Sequence, residues 1–418
     1  MLRRIGFAVA LLAVVIVPLP VLASDVPARQ PGCAGPGCRT AAASAWRWSA
    51  ALSGTWTAGA TGDGGTAGGD GGTVPAAGQA YTAVGSHVAV LGAGLALAAF
   101  RLTDGDPLWR VTLNAPAGTA IMSVRAWPGV VTVGLLAPDG RSRTEAVLDA
   151  GTGEELQRYP AAVFGGAVAA SVATTVVIGS AAVTSYDNAT GRPRWRRPVS
   201  GGESWQADAQ TLYMAQSAGG SLSSAPVTAL KIIDLRTGAE RALDSPPGRP
   251  FAGTLALATD GVVLFASSAG VTAYSGSTGG ALWARGAVVP EGSDAAAGLV
   301  YLTSADGTLR GVDPGTGVPQ TLVPGSAIPG SGNVYVVRGG VAFGLDPGSS
   351  GAAWGYSASA NRVSWSDATL PWPHFFSDVS GLGGSAAASG DTVVVTACAH
   401  LTSTAALCAD PELVAFSL

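Results

Sequence analysis

An eleven-residue phrase recurs along this chain, and its clearest copy is SYDNATGRPRW at residues 185–195. The phrase also occupies residues 99–109, 273–283 and 344–354, again with tryptophan in the eleventh place. Copies without the tryptophan occupy residues 147–157, 232–242 and 311–321. A self-similar unit at this scale predicts an array of repeated supersecondary units.

Each copy has the composition of a tight β-hairpin. Most copies carry a Thr-Gly pair, and glycine adopts a positive φ without a Cβ clash. An aspartate often stands in the third place, where a short carboxylate can accept backbone N–H groups and hold the bend; these aspartates are Asp149, Asp187, Asp234, Asp313 and Asp346. The flanking apolar residues are typical of strands. Such a hairpin must bury its faces against neighbouring copies.

The spacing of the copies predicts the architecture. The third place falls at residues 101, 149, 187, 234, 275, 313 and 346, at intervals of 33 to 48 residues, which is the length of a four-stranded propeller blade. Residues 413–418 resemble the front half of the phrase, and residues 45–49 resemble its tryptophan strand. The sequence therefore predicts an all-β chain, a single β-propeller of eight four-stranded blades closed by pairing of its N- and C-terminal strands. Seven blades remain an alternative because the last interval is long.

With a small residue first, Asp third, Thr-Gly sixth and seventh and Trp eleventh, the phrase resembles the tryptophan-docking motif of the pyrroloquinoline-quinone (PQQ)-like β-propeller repeat family. The resemblance covers residues 45–418. It implies that the eleventh-place tryptophans pack between blades, with Trp46 or Trp48 contributing at the closure; the others are Trp109, Trp195, Trp283 and Trp354. The second, fourth and sixth units carry Gln157, Ala242 and Thr321 instead. This alternation predicts tight and loose blade contacts in turn.

The N-terminus is typical of a targeting segment. Arg3 and Arg4 precede an apolar run, and Ala23 ends a small-residue cleavage site. Residues 1–24 are therefore predicted to be a signal peptide or a membrane anchor, residues 25–44 an extracytoplasmic linker, and residues 45–418 the propeller. Within the propeller, residues 59–78 are predicted to be a flexible Gly-rich loop. Either form of the N-terminal segment places the propeller outside the cytoplasm, secreted or anchored to the cytoplasmic membrane.

Four cysteines suit an oxidising compartment. Cys398 and Cys408 bracket a predicted strand-turn-strand, which favours a bridge between them. Cys33 and Cys38 flank a short Gly-Pro segment and could close a small loop. Four cysteines allow three connectivities, so cross-pairing remains open.

The densest aromatic cluster lies in residues 361–385, within the longest interval between copies. One interpretation is that these aromatics fill the last blade or plug the channel. The other is a ligand-contacting loop, because long insertions on a repeat scaffold often carry its binding function. The residues of that candidate loop are Trp372, His374, Phe375 and Asp378.

The sequence contains no nucleophile elbow and no phosphate loop. Quinoprotein enzymes that share the repeat are expected to carry adjacent cysteines over the quinone, and this chain has no Cys-Cys pair. Neither PQQ nor calcium is therefore expected, and no catalytic or metal-binding residue is assigned. A net charge of −4 argues against a nucleic-acid partner.

Three functions remain. The preferred one is a non-catalytic, monomeric binding or scaffold module at the cell envelope, with a protein or envelope polymer as partner and no membrane contact beyond the N-terminal segment. The alternatives are a quinoprotein-type oxidoreductase and a glycan- or polymer-binding propeller that uses the 361–385 loop. The partner and the pathway are not encoded in any recognisable motif.

Overall fold

The computed structural model describes residues 80–163, 165–199, 204–217, 227–245, 250–294 and 298–323, together with strand segments between residues 39 and 57 and between residues 333 and 417. These residues form strands and turns, which confirms the all-β prediction. No helix with the length and apolar character needed to cross a bilayer occurs among them.

Three short strands come first: β1 (Arg39–Thr40), β2 (Trp46–Ser49) and β3 (Trp56–Thr57).

Between residues 80 and 323 the described residues then form six four-stranded blades, each a meander of antiparallel neighbours. The first blade contains β4 (Ala80–Val84), β5 (Val88–Ala93), β6 (Ala96–Arg101) and β7 (Pro107–Thr112). The second contains β8 (Ala120–Trp127), β9 (Val130–Leu136), β10 (Arg143–Asp149) and β11 (Glu155–Ala161). The third contains β12 (Gly166–Ala170), β13 (Thr174–Ile178), β14 (Ala182–Asp187) and β15 (Pro193–Pro198).

The next three blades repeat this order. The fourth contains β16 (Ser204–Ala207), β17 (Thr211–Ser217), β18 (Val227–Asp234) and β19 (Glu240–Asp244). The fifth contains β20 (Thr254–Thr259), β21 (Val262–Ser267), β22 (Gly270–Ser275) and β23 (Ala281–Gly286). The sixth contains β24 (Val288–Asp294), β25 (Leu299–Ser304), β26 (Leu309–Val312) and β27 (Pro319–Val323).

The C-terminal part forms further sheets that recruit the N-terminal strands. A meander of β28 (Asn333–Arg338), β29 (Val341–Leu345), β30 (Ala353–Ser357) and β31 (Arg362–Asp367) adds β1 in parallel at its edge. Another sheet has the order β2, β36 (Pro411–Ser417), β33 (Thr392–Cys398) and β32 (Ala386–Ser389). The remaining strands β34 (Leu401–Thr402) and β35 (Leu407–Cys408) form a small sheet with β3.

The pairing of β2 with β36 joins the two ends of the fold. The strands are antiparallel, with Trp46 opposite Ala415 and Trp48 opposite Leu413. In addition, β32 contacts both β28 and β4, so its sheet lies between the preceding sheet and the first blade. The count of eight blades in a closed ring stays a prediction. Residues 362–367, at the start of the predicted aromatic insertion, form strand β31.

Within a blade, burial falls from the middle strands to the outer one. All seven residues of β9 are buried, whereas β7, β15 and β23 alternate between exposed and half-buried residues. Middle strands lie between two stacked sheets, and the outer strand is a sheet edge. Proline begins three outer strands, at Pro107, Pro193 and Pro319. Proline lacks a backbone N–H, which is tolerated at the first residue of an edge strand. These prolines therefore mark the outer strands in the sequence.

The Thr-Gly turns have the geometry that the sequence predicts. Gly153, Gly191 and Gly238 have φ values of 74°, 67° and 69°. The Asp187 carboxylate accepts hydrogen bonds from the Thr190 amide and hydroxyl, both at 2.9 Å. Asp234 and Asp313 make the same two contacts with their own threonines. In all three cases the threonine hydroxyl, followed by its amide, lowers the pKa of the aspartate.

The hydrophobic core is divided into layers between blades, which we call seams and number by the blades they join. In the described residues, each of the five seams from 1/2 to 5/6 holds one apolar cluster. Seam 1/2 packs Val90 and Leu97 against Val133 and Leu135. Seam 2/3 is the poorest, with four fully buried members: Val130, Val147, Tyr159 and Val177.

Candidate functional site

Tryptophans of the outer strands lie against the Thr-Gly turn of the following blade. A Cβ placed on Gly153 would come within 2.7 Å of the Trp109 indole, so the ring rests directly on this glycine. The Trp109 indole N–H also donates to the Ala150 carbonyl, at 2.8 Å. The ring contact and the hydrogen bond together join blade 1 to blade 2.

The same contact recurs at the third and fifth blades. Trp195 covers Gly238, and Trp283 covers Gly317. The Trp283 indole N–H donates to the Pro314 carbonyl at 2.8 Å, while the buried Trp195 indole N–H has no partner among the described residues.

The first residue of the phrase lies opposite its tryptophan in the sheet. The register pairs Ala99 with Trp109, Ser185 with Trp195 and Ala273 with Trp283. In the C-terminal meander it pairs Gly344 with Trp354. A small residue at this place leaves the indole room to lie over the hairpin, which explains why the phrase begins with one.

Seams that lack a tryptophan are joined in other ways. At seam 2/3 the Gln157 side chain lies by Gly191, and Tyr159 stacks on Tyr186 with ring centroids 4.1 Å apart. The Tyr159 hydroxyl contacts Asn188 Oδ1 at 3.0 Å, and burial raises its pKa to about 12. At seam 4/5 an aromatic trio fills the space: Phe251, Phe265 and Tyr274. Tryptophan alternates with other residues along the blades, but the seams without tryptophan are also packed, by other aromatic side chains.

Arginines near the tryptophan position form a second set of contacts that the sequence reasoning missed. Arg197 donates to the Gly238 carbonyl and Arg285 to the Gly317 carbonyl, each two residues beyond a docking tryptophan. In the fourth blade, Arg241 donates to the carbonyls of Gly276 and Ser277, both at 2.7 Å. The signal was visible as Trp-x-Arg in two copies.

Seam 2/3 also contains a charge cluster, formed by the buried Arg143 and Glu145 and the exposed Arg125. The Arg143 guanidinium lies 3.4 Å from the Glu145 carboxylate and donates to Ser123 Oγ and to the Val163 carbonyl. Arg125 donates to the Ala167 carbonyl of blade 3 at 2.6 Å. Burial raises the pKa of Glu145, against the opposing influence of both arginines.

Room for this cluster comes from glycines. A side chain on Gly134 or Gly166 would collide with the Arg143 guanidinium, and Gly166 has a φ of 126°. Removing one member of a buried ion cluster leaves an uncompensated charge and costs about 3–5 kcal/mol. The cluster thus fixes blade 2 on blade 3 where apolar packing is poorest. It has the character of a structural joint rather than of an acid–base pair open to substrate.

Several predicted site residues lie outside the described part of the chain. They include the whole candidate ligand loop and the first cysteine pair: Trp372, His374, Phe375, Asp378, Cys33 and Cys38. Trp48, Trp354, Cys398 and Cys408 lie on the described strands β2, β30, β33 and β35, but their side chains are outside the description. The disulfide and ligand-loop assignments stay predictions.

Comparison with known proteins supports the repeat assignment. Residues 53–197 match the family model described as outer membrane protein assembly factor BamB. Curated proteins yielded no match. Among solved structures, BamB from Moraxella catarrhalis is 21% identical, with 66% of this chain and 79% of that chain covered and a TM-score of 0.39.

Two dehydrogenase structures are similar at lower identity. A quinohemoprotein alcohol dehydrogenase from Pseudomonas putida HK5 is 16% identical, covering 81% of this chain and 75% of that one, with a TM-score of 0.47. A europium-containing methanol dehydrogenase is 13% identical, covering 82% and 92%, with a TM-score of 0.49. These TM-scores are low, so the fold is assigned from the stacked blades in the structure of this chain itself. Residues 53–197 thus match a model of the repeat family that the eleven-residue phrase resembles.

Proposed function

We propose that this protein is an extracytoplasmic β-propeller that acts as a binding scaffold for a protein partner at the cell envelope. The observation that carries the proposal is the match of residues 53–197 to the family model of an outer membrane protein assembly factor. The basic-then-apolar N-terminal segment supports the location, because such segments direct export. In this proposal the propeller is a monomer, and its N-terminal segment is the sole membrane contact.

The blade joints are consistent with a rigid platform. Indole contacts, arginine contacts and the charge cluster each join a blade to its neighbour, so the connecting loops are carried on a stiff support. Binding residues on loops profit from such a support, because less order has to be imposed when the partner docks. A scaffold needs that property, whereas an enzyme would also need reactive groups brought together.

The test has two parts. Cell fractionation with protease accessibility should place the full-length protein outside the cytoplasm. Cross-linking in intact cells, followed by reciprocal capture with the identified envelope protein as bait, should recover a specific pair. Recovery of the protein in the cytoplasm would overturn the proposal. Purified protein that contains quinone and calcium would replace it with the oxidoreductase alternative.

A further inference from the structure

A cleft of about 580 Å³ lies between the fifth and sixth blades. One wall is the crossover from β23 to β24, residues 284–288. The other wall is the turn that follows β25, residues 304–306, with Leu302 and Arg310 beside it. The cleft is therefore built at a seam, next to strand β23, whose Trp283 docks on Gly317 of the sixth blade.

Two arginines give the cleft its charge. Arg310 donates from Nη1 to Ser304 Oγ at 2.6 Å, and Arg285 donates from Nη2 to the Gly317 carbonyl at 2.5 Å. These bonds fix both side chains at half-buried positions. A guanidinium has five N–H donors, so each anchored arginine retains donors for a ligand.

The single acidic residue of the lining is already occupied. The Asp306 carboxylate accepts hydrogen bonds from the Thr308 amide at 3.0 Å and the Ser304 hydroxyl at 2.9 Å. The Thr308 amide is the main cause that lowers the pKa of Asp306, followed by the Ser304 hydroxyl. The lining thus carries two arginines and one carboxylate that its own turn holds, so it is net positive in a chain of net charge −4.

Apolar surface adjoins these charges. Val288 and Leu302 are buried and form the apolar part of the lining. Ala287 has a φ of 54°, in the left-handed region that a non-glycine residue rarely adopts. The crossover is thus held in an unusual conformation at the wall of the cleft.

We propose that this cleft binds an acidic segment of a partner protein, whose carboxylates pair with Arg285 and Arg310. Planar guanidinium groups suit carboxylates, because each can offer two parallel N–H donors. The inference rests on the proposed function in one respect, namely that the occupant belongs to a protein partner.

The test uses the purified full-length protein and a fluorescein-labelled peptide of alternating Glu and Val, with fluorescence anisotropy as the readout. We expect binding that weakens as salt rises, and little binding of the matching Gln-Val peptide. Arg310→Gln should weaken binding about tenfold, since a charge-assisted hydrogen bond is lost. Arg192→Gln, which removes an exposed arginine from the turn of the third blade, should leave it unchanged.

A second variant guards against misfolding of the first. Ala305 is exposed in the cleft wall, so Ala305→Glu adds a negative charge without removing a packed side chain. It should also weaken binding of the Glu-Val peptide. The proposal is overturned if both variants bind like wild type, if the Gln-Val peptide binds equally well, or if the Glu-Val peptide does not bind.

These results separate the cleft from the scaffold proposal. If the envelope partner is captured equally by wild type and by Arg310→Gln, the scaffold role stands and the cleft proposal fails. If no envelope partner is captured but the Glu-Val peptide binds with the expected variant pattern, the cleft's binding of acidic segments stands and the envelope-scaffold role fails.

Discussion

Glycine in the Thr-Gly turn has two separate duties in this protein. It adopts a positive φ, and it leaves space for the indole of the preceding blade. Gly238 illustrates both, with a φ of 69° and with Trp195 so close that a Cβ would lie 2.6 Å from the ring. The first duty could be predicted from the turn pattern. The second could not, because the neighbour that occupies the space is 43 residues earlier in the sequence.

The two duties can be separated by experiment. Gly261 has a φ of 73°, but a Cβ there would meet nothing within 4 Å. We expect Gly261→Ala to cost about 1 kcal/mol through backbone strain alone. Gly238→Ala should cost about 3 kcal/mol, because the indole must also move. Chemical denaturation of the two variants measures the difference, and equal losses would show that the indole contact is irrelevant.

At the scale of the element, the outer strand is the unit that joins one blade to the next. Its tryptophan was predicted from the motif, whereas the arginine two residues beyond it was not. The charge cluster of Arg125, Arg143 and Glu145 also escaped prediction. Apart from Glu145, which shares strand β10 with Arg143, their partners are groups on distant segments, such as the Gly238 and Ala167 carbonyls, and no local pattern encodes such long-range pairing. Local periodicity reveals hairpins, but it does not reveal which polar groups meet when hairpins stack.

Outer strands that carry a docking tryptophan should therefore contribute more to stability than outer strands that lack one. Trp195→Ala should lower the free energy of unfolding by about 3 kcal/mol, because a large half-buried indole on Gly238 is lost. Thr321→Ala, at the equivalent place of the sixth blade, removes a small side chain and should cost less than about 1 kcal/mol. Equal shifts of the denaturation midpoint would contradict this.

The tyrosine stack and the aromatic trio predict that seams 2/3 and 4/5 are stronger than their missing tryptophans suggest.

At the scale of the whole molecule, the same aspartate-threonine turn recurs in several blades. The effects of protonating these aspartates on stability therefore add together. The pKa values of Asp187, Asp234 and Asp313 are all lowered in the folded state. A depressed carboxyl pKa contributes stability above the unfolded pKa of about 4, and that stability is lost as pH falls through the folded pKa.

We therefore expect the thermal midpoint to fall as pH drops below about 4. The triple variant that replaces these three aspartates with asparagine should be less stable at pH 7 and should show a flatter decline in acid. Parallel curves for wild type and variant would contradict the assignment. Differential scanning fluorimetry over pH 2.5–7, a range centred on about pH 4–5, measures both.

The antiparallel pairing of Trp46 with Ala415 has a consequence for the order of events in folding. Each meander from the first to the sixth blade joins strands close in sequence and can form as soon as its own segment is available. The sheet that contains β2 and β36 cannot be completed until residues 411–417 have been made, and the contact between residues 46–49 and that strand closes a long loop. An early strand must wait with an unpaired edge during that interval, which exposes it to wrong partners. The last step of assembly, rather than any blade by itself, is where a chaperone would be most useful to this chain.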